Sequence, residues 1–310
     1  IEVFAPPGLG EVHAGDDLAV ALLGLLDGVG ETLREGDVVV VTSKIVSKSE
    51  GRTRVGEREA ALAEETVRVV ARRAGTSIVR NRLGLTMAAA GIDASNVAAG
   101  SIVLLPLDPD ASARHLRERL YELTGRRIAV VVTDTAGRAW RHGQTDIAIG
   151  AAGLRVAEDF NGRTDGYGNP LAVTLTAVCD QIAGAAELSQ GKLTARPFAV
   201  LRGRSDLVLP VSEHGAGASS LVREEGTGLF GYGAREAGGR AGRGDAADLA
   251  PFGAPATPEE LAAALNGAFP VGPPVRLVDC ADGEHWRADL PAQADPGAVH
   301  AVLFAHGWRG

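Results

Sequence analysis

Two rhythms of apolar and polar positions run through the first 240 or so residues, and together they predict alternating strands and helices. Asp37 is followed by four valines and Thr42. A run so continuously apolar fits a short strand buried on both faces. Arg127-Ile-Ala-Val-Val-Val-Thr133 repeats the pattern more strongly, and Ser101–Leu105 and Phe198–Leu201 are shorter strand candidates. Helical spacing appears elsewhere. Asp16 and Asp17 can start a helix that runs through Leu26, with Gly28 and Gly30 ending it. Glu57 to Arg73 carries Ala, Leu and Val at helical intervals. Pro109 opens a helix to about Leu123, with Asp108 as its cap. Regular structure resumes from Ala172 to Leu188.

Between these elements, Ala136–Asn169 is rich in Gly, Asp, Arg and Asn, as expected of a site rather than a core. After about Ala237 the character changes. Gly239–Pro255 reads as a linker. A helix at Thr257–Leu265, a strand at Val275–Val278 and a further strand at Val302–Phe304 are expected beyond it. Residues 1–238 are thus expected to form the main domain, and 239–310 a linker with a small C-terminal α/β appendage.

Composition narrows the functional classes. Hydrophobic residues make up 45%, charged residues 23% and aromatics only 4%, so the core must be largely aliphatic. A net charge of −8 without a basic run argues against nucleic acid as the main partner. Cys179 and Cys280 form no CxxC, which argues against a zinc-thiolate site and fits a reducing cytoplasm. No signal-peptide pattern or long apolar stretch is present, so a cytoplasmic protein without membrane contact is expected. Of 31 basic residues 28 are arginine, and the three lysines are Lys44, Lys48 and Lys192. Where arginine is the default, a lysine suggests that a compact point charge is wanted.

Candidate chemistry gathers at the ends of the two apolar strands. Val132-Thr133-Asp134-Thr135-Ala136-Gly137-Arg138-Ala139-Trp140-Arg141 passes from a buried strand to an acid, a hydroxyl and two arginines. In α/β proteins ligands collect at the carboxyl ends of strands. Asp and Thr oxygens there suit Mg²⁺ or Mn²⁺, and the arginines suit phosphate or carboxylate. The alternative is a turn that caps the next helix. In Thr42-Ser-Lys-Ile-Val-Ser-Lys48 an extended chain would set Lys44 and Lys48 on one face roughly 13 Å apart. They would serve a nucleotide with its polyphosphate, or else stand solvated on an edge. Asp93 and Asn96 would share one side of a helical turn, unless Asp93 simply closes an Asx turn. Gly226–Gly231 matches GxGxxG but follows no strand, and no Walker A loop, HExxH or catalytic triad is evident. The residues alone define a metal- and phosphate-handling enzyme.

In order along the chain, several segments resemble the coenzyme F420-0:L-glutamate ligase family. They are Gly36–Gly51, Asn81-Arg-Leu-Gly84, Gly91-Ile-Asp-Ala-Ser-Asn96, Thr133–Arg141, Gly143-Gln-Thr-Asp146, Asp165-Gly-Tyr-Gly-Asn169 and Gly191-Lys-Leu193. The resemblance covers about residues 1–237. It implies an α+β, two-lobed fold and an intertwined homodimer. It further implies a reaction in which GTP phosphorylates a carboxylate of F420-0 and the amine of L-glutamate attacks the acyl phosphate, with further γ-linked glutamates added by some relatives. Carried over by position, Asp93, Asp134 and Thr135 correspond to ligands of a divalent metal, Mg²⁺ or Mn²⁺. Ser43, Lys48 and Asn96 correspond to GTP contacts, and Leu9-Gly10-Glu11-Val12 to a nucleotide loop in which relatives often carry Pro at the Gly10 position. K⁺ is a further cofactor candidate. Asp134, Arg138 and Lys192 are the expected catalytic residues, with Arg138, Arg141 and Lys192 inferred to bind anionic substrate groups. Asp206, Glu213 and Glu224 are equal candidates for one more acidic ligand. The residues after the ligase region are too few for the flavin-binding domain that many relatives carry, so no flavin is expected. Two rival readings are a GTP-dependent amide ligase with another acceptor or amino acid, and a non-catalytic protein that binds F420 or nucleotide.

Overall fold

The computed structural model describes all residues except 57, 74, 96–99, 173, 225–230, 281–285 and 310, and the side chains of 72 and 73. The fold is mixed α+β with several sheets. Two compact units are formed, one from Ile1–Arg68 with Ile78–Val222 and the other from Val69–Ser77 with Arg223–Gly310.

In chain order the first unit carries β1 (Glu2–Phe4), α1 (Leu18–Gly28), β2 (Val38–Thr42), α2 (Ser43–Ser49), β3 (Thr53–Val55) and α3 (Arg58–Glu65). Next come β4 (Thr66–Arg73), whose far end is counted with the second unit, then β5 (Thr76–Asn81), β6 (Thr86–Ala88) and β7 (Ser101–Val103). The first unit ends with α4 (Pro109–Thr124), β8 (Ala129–Gly137), β9 (Gln144–Ala152), β10 (Glu158–Asp159), β11 (Leu175–Thr176), α5 (Val178–Gln190) and β12 (Phe198–Arg202).

Its central sheet has the order β1-β12-β2-β8-β9. Only β2 and β8 run parallel, with Val38 opposite Ala129 and Thr42 opposite Thr133. The valines of β2 are fully buried because both sheet faces are covered. Val39, Val41, Val130 and Val132 join a cluster with α1 and α4. Val38, Val40, Ala129 and Val131 join a second cluster with α5. Each buried valine contributes on the order of 1.5–3 kcal/mol, which accounts for the strongest apolar runs lying at the centre. The expected caps are present. Asp17 accepts from the N–H groups of Ala19 and Val20 at 3.0 and 3.1 Å, and Asp108 accepts from Ala111 at 3.0 Å.

Several expectations need correction. Ser43–Ser49 is a helix, not an extended strand. Ile45 and Val46 both enter the same apolar cluster, whereas a strand would send consecutive side chains to opposite faces. The helix expected over Glu57–Arg73 stops at Glu65 and continues as β4, where Thr66, Val67, Val69 and Val70 favour extended backbone. Asp93 lies on no helical turn. It forms a β-bridge to Val103 and accepts from the Ser95 N–H at 2.7 Å, the Asx arrangement.

The second unit contains α6 (Ala234–Arg243), α7 (Pro258–Ala268), β13 (Leu277–Asp279), β14 (Trp286–Ala288) and α8 (Pro296–Ala305). The expected linker is therefore structured: half of α6 and two 3₁₀ turns lie within it. Asp248 is buried there, ion-paired with Arg240 and with Arg243 at 2.7 Å. Val302–Phe304 belongs to α8 rather than to a strand, because Asp295 caps a helix that begins with Pro296. The GxGxxG segment, residues 226–231, falls almost wholly outside the described residues. Among the described residues no helix is long and apolar enough to cross a membrane.

Candidate functional site

The carboxyl ends of the two parallel strands open into a cleft of about 530 Å³ within the first unit. Strand β2 delivers Ser43 and Lys44 at the start of α2, with Lys48 one turn on, and β8 runs past its parallel pairing to deliver Asp134 and Thr135. Leu9, Gly10 and Glu11 also line it, as does Lys192, just after α5.

Carboxylates and ammonium groups alternate around this cleft. Lys44 Nζ lies 2.7 Å from Asp93 Oδ2 and donates to Ser95 Oγ at 2.8 Å. Lys48 Nζ donates to Glu11 Oε1 at 2.5 Å. Lys192 Nζ lies 2.5 Å from Glu187 Oε1 and donates to Thr135 Oγ1 at 2.8 Å. The Ser43 hydroxyl donates to Asp134 Oδ1 at 2.8 Å.

Asp134 is the perturbed group. Desolvation pushes its carboxyl from the usual 3.8 up to about 7, and the charges of Asp146 and Asp93 add to the rise. The hydrogen bonds from Ser43 and the Thr135 N–H oppose it without prevailing. Asp93 moves the other way, held below its ordinary value: its burial is outweighed by the hydrogen bonds from Lys44 and Ser95 together with the Lys44 charge.

Most of the residues singled out from the sequence meet here: Leu9, Gly10, Glu11, Ser43, Lys48, Asp93, Asp134, Thr135 and Lys192 all line the cleft. Val12 is buried and lines an adjoining depression with Glu11 and Lys48. Arg138 and Arg141 do not line the cleft. Both sit exposed in the turn between β8 and β9, where the Arg138 guanidinium donates to the His142 carbonyl at 2.8 Å. Asn96 lies outside the described residues. None of Asp206, Glu213 and Glu224 lines the cleft, and Asp206 is paired with Arg204 at 2.9 Å. The Asp159–Asn169 segment is likewise apart from the cleft, and Asp165 closes its own turn by accepting from Tyr167 and Asn169.

Two carboxylates of the cleft, Asp146 and Glu187, were given no role from the sequence, although Asp146 closes the Gly143–Asp146 segment of the resemblance. Asp146 stands among polar residues at the start of Gln144–Ala152, so strand periodicity gave it no role. Glu187 carried no signal beyond its place in a helix.

Among the described residues no group of three or more His, Cys, Asp or Glu side chains is arranged to hold a metal ion. The donors present are nonetheless hard oxygens, two carboxylates and a hydroxyl, of the kind that Mg²⁺ and Mn²⁺ prefer. The Asp134 carboxyl is raised first by desolvation and then by the charges of Asp146 and Asp93, and a divalent cation would offset both. The residues therefore fit the metal.

A sheet whose parallel strands end in acids and hydroxyls, in a cleft lined by three lysines, belongs to an enzyme acting on anionic substrates. Residues 8–59 and 56–203 match the family described as F420-0:Gamma-glutamyl ligase. The coenzyme F420:L-glutamate ligase of Archaeoglobus fulgidus is 39% identical over 213 residues, 62% of this chain and 83% of the relative. That of Methanothermobacter thermautotrophicus is 37% identical over 227 residues, 66% of this chain and 89% of the relative. That of Methanopyrus kandleri is 40% identical over 215 residues, 62% and 83%. The chain belongs to the F420-0:gamma-glutamyl ligase family.

Proposed function

We propose that the protein joins L-glutamate to coenzyme F420-0 in a GTP-dependent reaction with a divalent metal. The observation that carries the reading is the cleft itself, where Asp93, Asp134 and Thr135 converge with Lys44, Lys48 and Lys192 in a member of this ligase family.

In this mechanism a carboxylate oxygen of F420-0 attacks the γ-phosphorus of GTP. The bond to the β–γ bridging oxygen breaks, and GDP leaves. The amine of L-glutamate then attacks the acyl carbon, the amide forms, inorganic phosphate departs and the amine proton is released. Phosphoryl transfer of this kind depends on positioning and charge neutralisation rather than on a protein nucleophile. Lys48, beside the Leu9–Val12 loop, takes the polyphosphate together with Ser43. Lys44 and Lys192 hold the charge of the transferred group and of the acceptor carboxylates. Asp93, Asp134 and Thr135 would hold the metal, which when bound supplies charge neutralisation at the phosphates. The two-lobed fold and homodimer expected from the resemblance, and the cytoplasmic setting expected from the composition, belong to the same proposal.

Incubation with F420-0, GTP, L-glutamate and Mg²⁺ or Mn²⁺, read by product mass, tests it. One or more added glutamyl units that require both GTP and metal support the reading. GTP binding without product points to a different acceptor or amino acid. Absence of both overturns it.

A further inference from the structure

We propose that Asp146 is a positioning residue of this cleft, a buried carboxylate that fixes the Thr135 hydroxyl and the Lys192 ammonium. The role rests on the ligase reading above. Asp146 stands on β9 directly opposite Thr135 in the β8–β9 register and is only 5% exposed. Its two oxygens are divided between neighbours. Oδ1 accepts from the Thr135 hydroxyl at 2.8 Å and lies 3.4 Å from Lys192 Nζ. Oδ2 accepts from the Thr133 hydroxyl at 3.2 Å.

The backbone extends the same arrangement. The Asp146 N–H donates to Glu187 Oε2 at 2.9 Å, and the other oxygen of Glu187 lies 2.5 Å from Lys192 Nζ. Asp146, Thr135, Lys192 and Glu187 thus close a ring drawn from β8, β9, α5 and the residues just beyond α5. A buried carboxylate is costly unless it is paired and hydrogen-bonded, and here two hydroxyls and an ammonium satisfy it.

The ring decides what Thr135 can offer. A hydroxyl has one proton and two lone pairs. Its proton is committed to Asp146, and one lone pair accepts from Lys192. One lone pair remains, so Thr135 presents an acceptor to the cleft and no donor. That polarity suits a cation and does not suit a phosphate oxygen. Removing the Asp146 charge would weaken its hold on the Thr135 proton and on Lys192, and leave one oxygen where two now serve both hydroxyls.

Asp146→Asn keeps the volume and removes the charge, and three measurements on the full chain test the role. Mn²⁺ binding to metal-free protein is read by electron paramagnetic resonance, folding by a thermal melt, and kcat and KM for GTP by turnover. The expected result is a folded variant whose Mn²⁺ Kd rises, and whose kcat falls, roughly 10–100-fold, with KM for GTP little changed. Wild-type Mn²⁺ affinity and kcat in the folded variant overturn the proposal, as does a lowered melting temperature alone. Should Asp146→Asn fail to fold, Thr133→Val decides: it withdraws one hydroxyl from Asp146 Oδ2, so weakened Mn²⁺ binding supports the role and wild-type binding overturns it. If the wild-type protein makes no glutamyl product, the ligase reading fails by itself, and the Mn²⁺ comparison still judges Asp146.

Discussion

Replacing Asp134 by asparagine should stabilise the protein above neutral pH while it abolishes turnover, and the size of the gain follows from where the carboxyl sits. The group is withdrawn from water and faces the charges of Asp146 and Asp93, which together lift it from 3.8 to about 7. The folded chain therefore holds this proton more tightly than the unfolded chain does. Protonation favours folding below about pH 7, and stability from this group is lost as pH climbs from near 4 through 7. At 1.36 kcal/mol per unit, the whole shift amounts to about 4 kcal/mol, an upper figure for one partly buried group.

Asparagine cannot ionise and still offers an oxygen to the Ser43 hydroxyl. The stability gap between Asp134→Asn and wild type should therefore widen by about 1.4 kcal/mol per pH unit from near pH 4. It should level off above pH 7. Urea denaturation of both proteins in chelator at pH 5, 6, 7 and 8, followed by circular dichroism, measures that gap directly. Parallel stability curves across the series would refute the reasoning, because they would mean that Asp134 is ionised throughout. Addition of saturating Mg²⁺ should narrow the gap at pH 8 by restoring wild-type stability, since a ligand that binds only the folded state stabilises it.

Other consequences can be measured independently. Protons compete with a divalent cation at Asp134, so Mn²⁺ affinity should fall about tenfold per pH unit below pH 7; titration calorimetry between pH 5.5 and 8 checks this, and a flat profile counts against Asp134 as a ligand. Lys48→Ala removes a charge-assisted contact worth about 1.5–3 kcal/mol, so the Kd for GTP should rise at least about tenfold; an unchanged Kd by fluorescence titration would remove Lys48 from the nucleotide site. Arg202→Met strands the buried Asp37 carboxylate, which Arg202 now holds at 3.1 Å. The loss should be about 3–5 kcal/mol in a urea melt, and a loss below about 1 kcal/mol would show that Asp37 finds another partner.

The strands that frame the cleft were legible because burial on both faces leaves an unmistakable apolar run, as in Val38–Val41 and Ala129–Val132. Caps were legible for a local reason: Asp17 and Asp108 bond to N–H groups two or three residues away. The role of Asp146 was not legible, although its segment carries part of the resemblance. Its partners Thr133 and Thr135 sit on the other arm of a hairpin whose register shifts between Val132 and Thr133. The unbroken register on the turn side of that shift sets Thr135 opposite Asp146, and no periodicity in the sequence encodes that pairing. Strand β4 was missed because a run such as Thr66–Arg73 serves either period until a neighbouring strand decides.

The correction with the greatest chemical consequence concerns Ser43–Ser49. In an extended chain Lys44 and Lys48 would have served distant parts of a nucleotide. On helix α2 they rise only about 6 Å along the axis, a separation that adjacent phosphates can span. Neither lysine waits unoccupied: Asp93 and Glu11 hold them. Among the described cleft residues, the carboxylates of Glu11, Asp93, Asp134, Asp146 and Glu187 face the cations of Lys44, Lys48, Lys192 and Arg196. With Asp134 protonated the two sets balance, and with Asp134 ionised the cleft is negative. A polyphosphate entering such a cleft displaces carboxylates from their lysines and meets them as like charges. On the proposed reading, a divalent cation held by Asp93 and Asp134 would offset part of that repulsion, so metal and nucleotide should each tighten the binding of the other.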